Sequence, residues 1–348
     1  MKAAFFYGQQ DLRLKEIDKP QITNNDLLIK VKVCAVCGTD LRIYKHGHFK
    51  IPEGTRRVIG HEIAGEIVEV GANVKGYEVG MRVAIPPNVG CGHCQWCLKG
   101  LNQLCPDYEA FGINNDGGFQ EYMLIPSNAI ARGNVINIPD NMSFEQAAMT
   151  EPLSCTYNAY ESLKTMPGDT VLIIGAGPIG ACHVMINKIA GAGKIIVADI
   201  SPKRLKEIKK FGVDVTIDSN KNDLKEELMK LTDGNGADVI ITACSVPEIQ
   251  TLSLELASRC GRINLFGGMP SGKEIVPLNT NLIHYNELVV VATTGSSILD
   301  FHQALKIASS GKINLGALAS KRFSLDEIQE AFDYALTGEG MKTLVVMD

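Results

Sequence analysis

Nowhere does this chain of 348 residues reach the roughly 18 consecutive apolar residues of a membrane-spanning helix. Its first segment, MKAAFFYGQQDLRLK, turns polar after five apolar positions, too few for the hydrophobic region of a secretory signal. Blocks of one charge are missing as well: 34 Lys and Arg stand against 39 Asp and Glu, the formal net charge is -5, and no basic stripe stands out. A nucleic-acid partner needs clustered phosphate contacts, so that class of function is excluded. Internal repeats, low-complexity tracts and long linkers are also absent. With 45% hydrophobic and 21% charged residues, the composition has neither extreme that would favour disorder. What remains is a cytoplasmic protein without membrane or nucleic-acid partners, long enough for two domains that each bury a core.

Cysteine is plentiful, with 10 residues. In a cytosolic enzyme these read as thiols or metal ligands rather than disulfides. Cys91, Cys94, Cys97 and Cys105 lie in one stretch, GCGHCQWCLKGLNQLCP, with spacing C-x2-C-x2-C-x7-C. Four thiolates so close in sequence can wrap one tetrahedral zinc and leave no position for a reactant, so this is a structural zinc site. His93 sits inside the loop, but four sulfurs already complete a tetrahedron. Cys34, Cys155, Cys182, Cys244 and Cys260 stand in apolar or Ala/Gly-rich surroundings and are expected to be small buried hydrophobes.

Two textures divide the chain near Glu151-Pro152. Before it the sequence looks all-β, with short β-branched runs such as Leu27 to Val33 and Glu62 to Val70 broken by Gly, Pro and Asn. After it, strands and helices alternate. Strands are expected at Val171 to Ile174, Lys194 to Ala198, Ala237 to Thr242, Arg262 to Phe266 and Leu288 to Ala292. Helices are expected at Pro178 to Ala190, Pro202 to Phe211, 222–231 and 247–258. Continuous apolar strands joined by helices imply parallel crossovers and a doubly wound sheet. The tail from about Leu299 returns to helix plus a closing strand, Thr343 to Met347, able to rejoin the first domain.

The segment VLIIGAGPIG sets Gly175, Gly177 and Gly180 between a strand and a helix. Such glycines permit a tight turn, close approach to a pyrophosphate and close helix packing, while the helix N-terminus offers amide hydrogens to the anion. Alone this pattern is weak. Its context strengthens it, because Asp199 ends the next strand, where a carboxylate binds the adenosine ribose hydroxyls and repels a 2′-phosphate. NAD is therefore expected over NADP. Arg204 follows one turn into the next helix and reads either as an adenine-side contact or as a solvated residue beside Lys203 and Lys206.

A second metal site draws on three segments: CGTD (Cys37 to Asp40), GHE (Gly60 to Glu62) and EPLSC (Glu151 to Cys155). Cys37 offers a thiolate, His61 an imidazole and Glu62 a carboxylate, each a good ligand for zinc. Three protein ligands leave a fourth position for water or a substrate oxygen, which is the mark of a catalytic site. Zinc has no redox role, so its task there is to polarise the substrate oxygen while hydride leaves the neighbouring carbon. A lone His-Glu pair before a strand is more often structural, and the functional reading rests on all three segments preceding a dinucleotide loop.

The order CGTD, GHE, four-cysteine loop, EPLSC, GAGPIG resembles the zinc-containing medium-chain dehydrogenase/reductase family, in its sorbitol (polyol) and threonine dehydrogenase branch. The likeness runs over essentially the whole chain. It implies an α/β fold made of a discontinuous, β-rich GroES-like catalytic domain (1–152 and 294–348, with the structural-zinc loop at about 88–106) and a doubly wound Rossmann domain (153–293). It implies two zinc ions per subunit, with Cys37, His61 and Glu62 on the catalytic ion. Glu151 would contact that metal or its bound water, and Thr39 would be the hydroxyl that takes the substrate's proton. Ile179 would pack near the pyrophosphate bend, Asp199 and Arg204 would hold the adenosine, and Phe266, Gly267, Gly268, Thr293 and Thr294 would line the nicotinamide end. Gly267 and Gly268 read equally well as a simple turn.

One departure stands out. Relatives often carry a histidine where this chain has Arg42, so its proton relay must end differently, through His46, solvent or a cofactor hydroxyl. His48 and Tyr44 are candidates for the pocket border. The resemblance points to NAD-dependent oxidation of a secondary alcohol, most readily a polyol or sugar-like molecule. Alternatives are threonine or another amino alcohol or diol, a phosphorylated polyol, and a non-enzymatic NAD-binding protein that has lost the chemistry. A homotetramer or dimer is expected.

Overall fold

The computed structural model describes residues 1–52 and 54–347 and divides into two units. The first comprises Met1–Ser154, Ser296–Gly311 and the chain from Leu318 onward. The second comprises Cys155–Gly295 with the short Lys312–Ala317 segment. Both divides fall two residues beyond the expected positions, 152 and 293, and the return of 312–317 to the second unit was not anticipated.

The first unit is built on a seven-stranded sheet whose central strand is Leu27–Ala35. This strand is buried along nearly its whole length because both of its edges are paired. Glu62–Val70 runs antiparallel on one edge. On the other edge Tyr122–Ile125 covers the N-terminal half and Lys342–Val346 the C-terminal half. The C-terminal strand is thus folded into the N-terminal sheet. Register brings three distant segments to one point: Ala35 lies opposite Glu62 on one side and Leu344 on the other.

The expectation of an all-β first domain is corrected. Helices Gly38–His46, Ser127–Arg132 and Phe144–Ala148 lie within it, and Thr150–Leu163 starts there. Periodicity does not reveal them because they are short or polar; capping boxes mark Gly38–His46 and Phe144–Ala148. Cys37 caps the first, its Sγ accepting from the Thr39 amide, while Asp40 reaches back to the Cys37 amide. The core of this unit gathers Phe119 and Tyr44 edge-on against Phe332.

In the second unit six parallel strands follow the order 3-2-1-4-5-6, counted along the chain: Val215–Asp218, Lys194–Asp199, Thr170–Ile174, Ala237–Thr242, Ala257–Leu265, Val289–Ala292. Val215–Asp218 was not anticipated, since it is short and half polar at the sheet's edge. The fifth strand begins five residues earlier than read and stops at Leu265, leaving Phe266 just past its end. Strand order reverses between Thr170–Ile174 and Ala237–Thr242, and in open parallel sheets ligands bind beyond the carboxyl ends at such a point.

Candidate active site

Cys37, at the N-cap of helix Gly38–His46, follows directly from the central strand, and His61 and Glu62 enter the strand paired with it. Only glycine serves at position 60. Its φ is +94°, and a Cβ there would sit 2.7 Å from Cys34 Sγ and 2.8 Å from the Phe119 ring. The outcome is a tight group: one ligand atom each from Cys37, His61 and Glu62, all within 4.8 Å of one another. Tetrahedral zinc with its usual bond lengths separates its ligands by roughly 3.5 Å, so a small contraction suffices for one ion to reach all three.

Asp40, fully buried, ties these segments together. Its Oδ2 accepts from the Cys37 amide (2.9 Å), its Oδ1 from the Gly60 amide (3.1 Å), and Oδ1 also lies 3.3 Å from His61 Nδ1. That last contact lacks hydrogen-bond alignment, and Nδ1 has no other partner among the described residues. Burial alone would pull the imidazolium of His61 down. The Asp40 carboxylate and the Cys37 thiolate outweigh it, so His61 titrates well above its ordinary range. The site therefore attracts positive charge. Burial pushes Glu62 up to about 7, against the lowering effects of Lys342 and His61 and together with the like charge of Glu151. Glu62 Oε1 accepts from Lys342 Nζ, while its buried Oε2 has no hydrogen-bond partner among the described residues. A paired oxygen beside an unsatisfied one, next to a thiol and an imidazole, is a donor set that fits a metal ion.

Glu151 is buried in the first turn of Thr150–Leu163 and acts electrostatically on both Glu62 and Lys342, but it is not one of the three clustered ligands. Thr39 is half-buried, in the first turn of the helix that Cys37 caps; Arg42 is exposed a turn later, and His46 is exposed at the helix end. Tyr44 is a core residue, its hydroxyl accepting from Gln329 Nε2 at 3.1 Å, rather than a free border of a pocket. His48 is half-buried, stacked on Phe49, with Nδ1 accepting from the Lys50 amide at 3.1 Å.

The four-cysteine group also assembles, with all four sulfurs within 4.8 Å of one another. Backbone amides of Cys91, Cys94 and Cys97 donate to the sulfurs of Cys105 (3.3 Å), Cys91 (3.4 Å) and Cys94 (3.5 Å). Amides of His93 and Cys94 pull the Cys91 thiol down to about 6, whereas burial pushes Cys97 up to about 12. A set of thiols dressed by amide donors suits a cation that keeps all four as thiolates. His93 is exposed, its Nδ1 3.1 Å from the Cys91 carbonyl and outside the sulfur group. Of the five cysteines expected to be buried, Cys34 and Cys182 are; Cys155 and Cys244 are half-buried. Cys260 is exposed, at a positive φ of 57° within the fifth strand, its Sγ 4.0 Å from Glu287 Oε2.

In the second unit the glycine loop is as tight as its sequence implies. Gly175 has φ +123°, a Cβ there would sit 2.7 Å from the Ala243 carbonyl, and a Cβ on Gly180 would sit 1.9 Å from the Gly175 carbonyl. Asp199 accepts from the Ala176 amide through Oδ2 and from the Ser201 amide through Oδ1, both at 2.7 Å. Arg204 reaches the same loop, since a Cβ on Gly177 would lie 3.9 Å from its Nη1. Ile179 is half-buried in the helix's first turn. Phe266, Gly267 and Gly268 follow the carboxyl end of the fifth strand, and the Gly267 amide donates to the Thr242 carbonyl at 2.9 Å. Thr293 and Thr294 follow the sixth strand, and Asn264 Nδ2 donates to Thr293 Oγ1 at 3.3 Å. These residues therefore share the carboxyl edge of the sheet.

Three residues here were not found from sequence. Asp40 and Lys342 act across 20 and 280 positions, a separation no local motif reveals. His183 is fully buried on the helix after the glycine loop, edge-on to Phe266 at 4.8 Å, with neither ring nitrogen hydrogen-bonded among the described residues. Burial pushes it down to about 3.

Known proteins give an independent comparison. Residues 23–140 match the alcohol dehydrogenase GroES-like domain and residues 178–310 the zinc-binding dehydrogenase domain. An L-threonine 3-dehydrogenase from Pyrococcus furiosus is 34% identical over 100% of this chain and 97% of its own length. A sorbitol dehydrogenase from Bacillus subtilis is 34% identical over 99% of this chain and 97% of its own. An alcohol dehydrogenase from Escherichia coli CFT073, solved with NADH, has a TM-score of 0.89 at 31% identity and covers 99% of each chain. Among the described residues no helix is long and apolar enough to cross a membrane.

Proposed function

The chain belongs to the zinc-containing medium-chain dehydrogenase/reductase family, and from that premise we propose that it oxidises the secondary alcohol of a polyol or sugar-like substrate with NAD, reversibly. The observation that carries the reading is the convergence of Cys37, His61 and Glu62 within 4.8 Å, a three-ligand set distinct from the four-thiol cage. A zinc ion held there supplies Lewis-acid polarisation of the substrate oxygen, and NAD bound at the glycine loop accepts the hydride.

The chain's own residues do the rest. Cys37 and Glu62 would hold the metal through sulfur and oxygen, and His61 through a ring nitrogen. With the Asp40 carboxylate 3.3 Å from Nδ1, Nε2 is the nitrogen that would be left for the metal. Thr39, two residues from Cys37 on the same helix turn, receives the substrate's hydroxyl proton. The proton then leaves through solvent, His46 or a cofactor hydroxyl, since Arg42 stands where relatives carry a histidine. Glu151 stands outside the three clustered ligands and would contact the metal or its bound water. Asp199, with its carboxylate fixed by two amides, favours NAD by repelling a 2′-phosphate.

The relative from Pyrococcus furiosus, a threonine dehydrogenase, supports a second reading, an amino-alcohol substrate. Parallel NAD-linked assays on sorbitol, L-threonine and 2,3-butanediol separate the two. The highest kcat/KM on a polyol is expected; a maximum on threonine favours the second reading, and zinc-loaded protein inert on every secondary alcohol refutes both. The strand Val289–Ala292 ends the six-stranded sheet with Val289 half exposed, which supports pairing across a two-fold axis into a homodimer or tetramer. Light scattering showing a monomer would overturn that assembly. The ten thiols, none in a disulfide, fit a cytoplasmic setting.

A further inference from the structure

Lys342 opens the last strand of the chain, and its position follows from register. Leu344 lies opposite Ala35, and the Val36 amide donates to the Thr343 carbonyl at 2.9 Å, so the next step of the antiparallel ladder sets Lys342 beside Cys37. The side chain is 5% exposed. Its ammonium donates to the Val36 carbonyl at 3.2 Å and to Glu62 Oε1, on the far side of that carboxylate from the unsatisfied Oε2.

A buried ammonium is retained only where anions compensate it. Here the compensating groups are Glu62, ion-paired with the ammonium, and Cys37, which the ladder sets beside it. Both also belong to the metal-ligand set, so Lys342 and a divalent cation share the same negative charge. Each stabilises the ligand set in the other's absence, and each repels the other when both are present.

On the reading that Cys37, His61 and Glu62 form a metal site, we propose that Lys342 is its resident counter-ion: it keeps the ligand set assembled before the metal arrives, and it weakens rather than strengthens the metal's hold. The linkage is reciprocal. Whatever Lys342 contributes to the metal-free protein beyond what it contributes to the loaded protein is subtracted from the affinity for the metal. A lysine that served only to fill space would stabilise both states alike and leave affinity unchanged.

The test compares wild type, Lys342→Met and Lys342→Arg by competition with a chromophoric chelator for the second zinc equivalent, the four-thiol site being kept loaded. Lys342→Met is expected to bind that equivalent at least about 10-fold tighter, and Lys342→Arg to match wild type within about 3-fold. Equal or weaker binding by Lys342→Met overturns the counter-ion role while the metal reading stands. A wild-type protein that never takes a second equivalent overturns both. Should metal-free Lys342→Met fail to fold, the double variant Lys342→Met/Glu62→Gln, which removes both charges, is expected to restore its thermal midpoint. A double variant as unstable as the single one refutes the proposal.

Discussion

Asp40 offers the sharpest quantitative test of how this site is built. Replacement by alanine strands two amide donors, of Cys37 and Gly60, that now donate to one carboxylate at 2.9 and 3.1 Å. Each unsatisfied buried donor costs about 1–3 kcal/mol, so the loss is about 2–6 kcal/mol. For a unit of this size that lowers the thermal midpoint by roughly 10 °C. His61 also loses the carboxylate 3.3 Å from Nδ1, and removing an outer partner of a ligating imidazole weakens metal binding about 10- to 100-fold. Asp40→Asn keeps the shape but must point its amide at one of the two donors, so it falls between alanine and wild type. Calorimetry with metal competition on the three proteins measures both effects. A midpoint within about 2 °C of wild type, with unchanged metal affinity in Asp40→Ala, refutes the reasoning.

Two further outcomes follow from the second unit. His183 titrates near 3 when folded, because of burial, and near 6.5 when unfolded, so the unfolded chain binds the extra proton and stability falls as pH drops from 6.5 toward 3. Between pH 7.5 and 5 this contributes a loss of about 2 kcal/mol that His183→Leu escapes; denaturant unfolding at both pH values showing the same loss in both proteins contradicts it. Asp199→Ser removes the charge that discriminates against a 2′-phosphate, so the ratio of NAD to NADP efficiency should fall by 10-fold or more. An unchanged ratio removes Asp199 from that role.

What could be read from sequence, and what could not, divides along physical lines. The thiol cage and the Cys37, His61, Glu62 set were legible because metal chemistry restricts which residues appear and, in the cage, how far apart. The strands at Glu62–Val70 and Ala237–Thr242 were legible to the residue, the first from its β-branched residues between glycine and polar breaks and the second from its apolar run. Gly38–His46 was not, because its hallmark is a cap formed by a cysteine that sequence assigns to a metal and an aspartate to which it assigns no role. In sequence Asp40 is only the last letter of CGTD. Lys342 had no signal at all: a lysine at the edge of a closing strand looks solvated until register sets it beside Cys37 and Glu62. Cys260 differs for another reason: flanked by Arg259, Gly261 and Arg262, it sits at a positive φ where the fifth strand is irregular, and its side chain is exposed.

The central claim is that a second metal, held by Cys37, His61 and Glu62, does the chemistry. Elemental analysis of fully active protein alongside His61→Ala tests it most directly. Two zinc ions per chain are expected in the active protein, and one in the variant, which should retain NAD binding but lose turnover. Full activity with a single zinc confined to Cys91, Cys94, Cys97 and Cys105 would contradict the account.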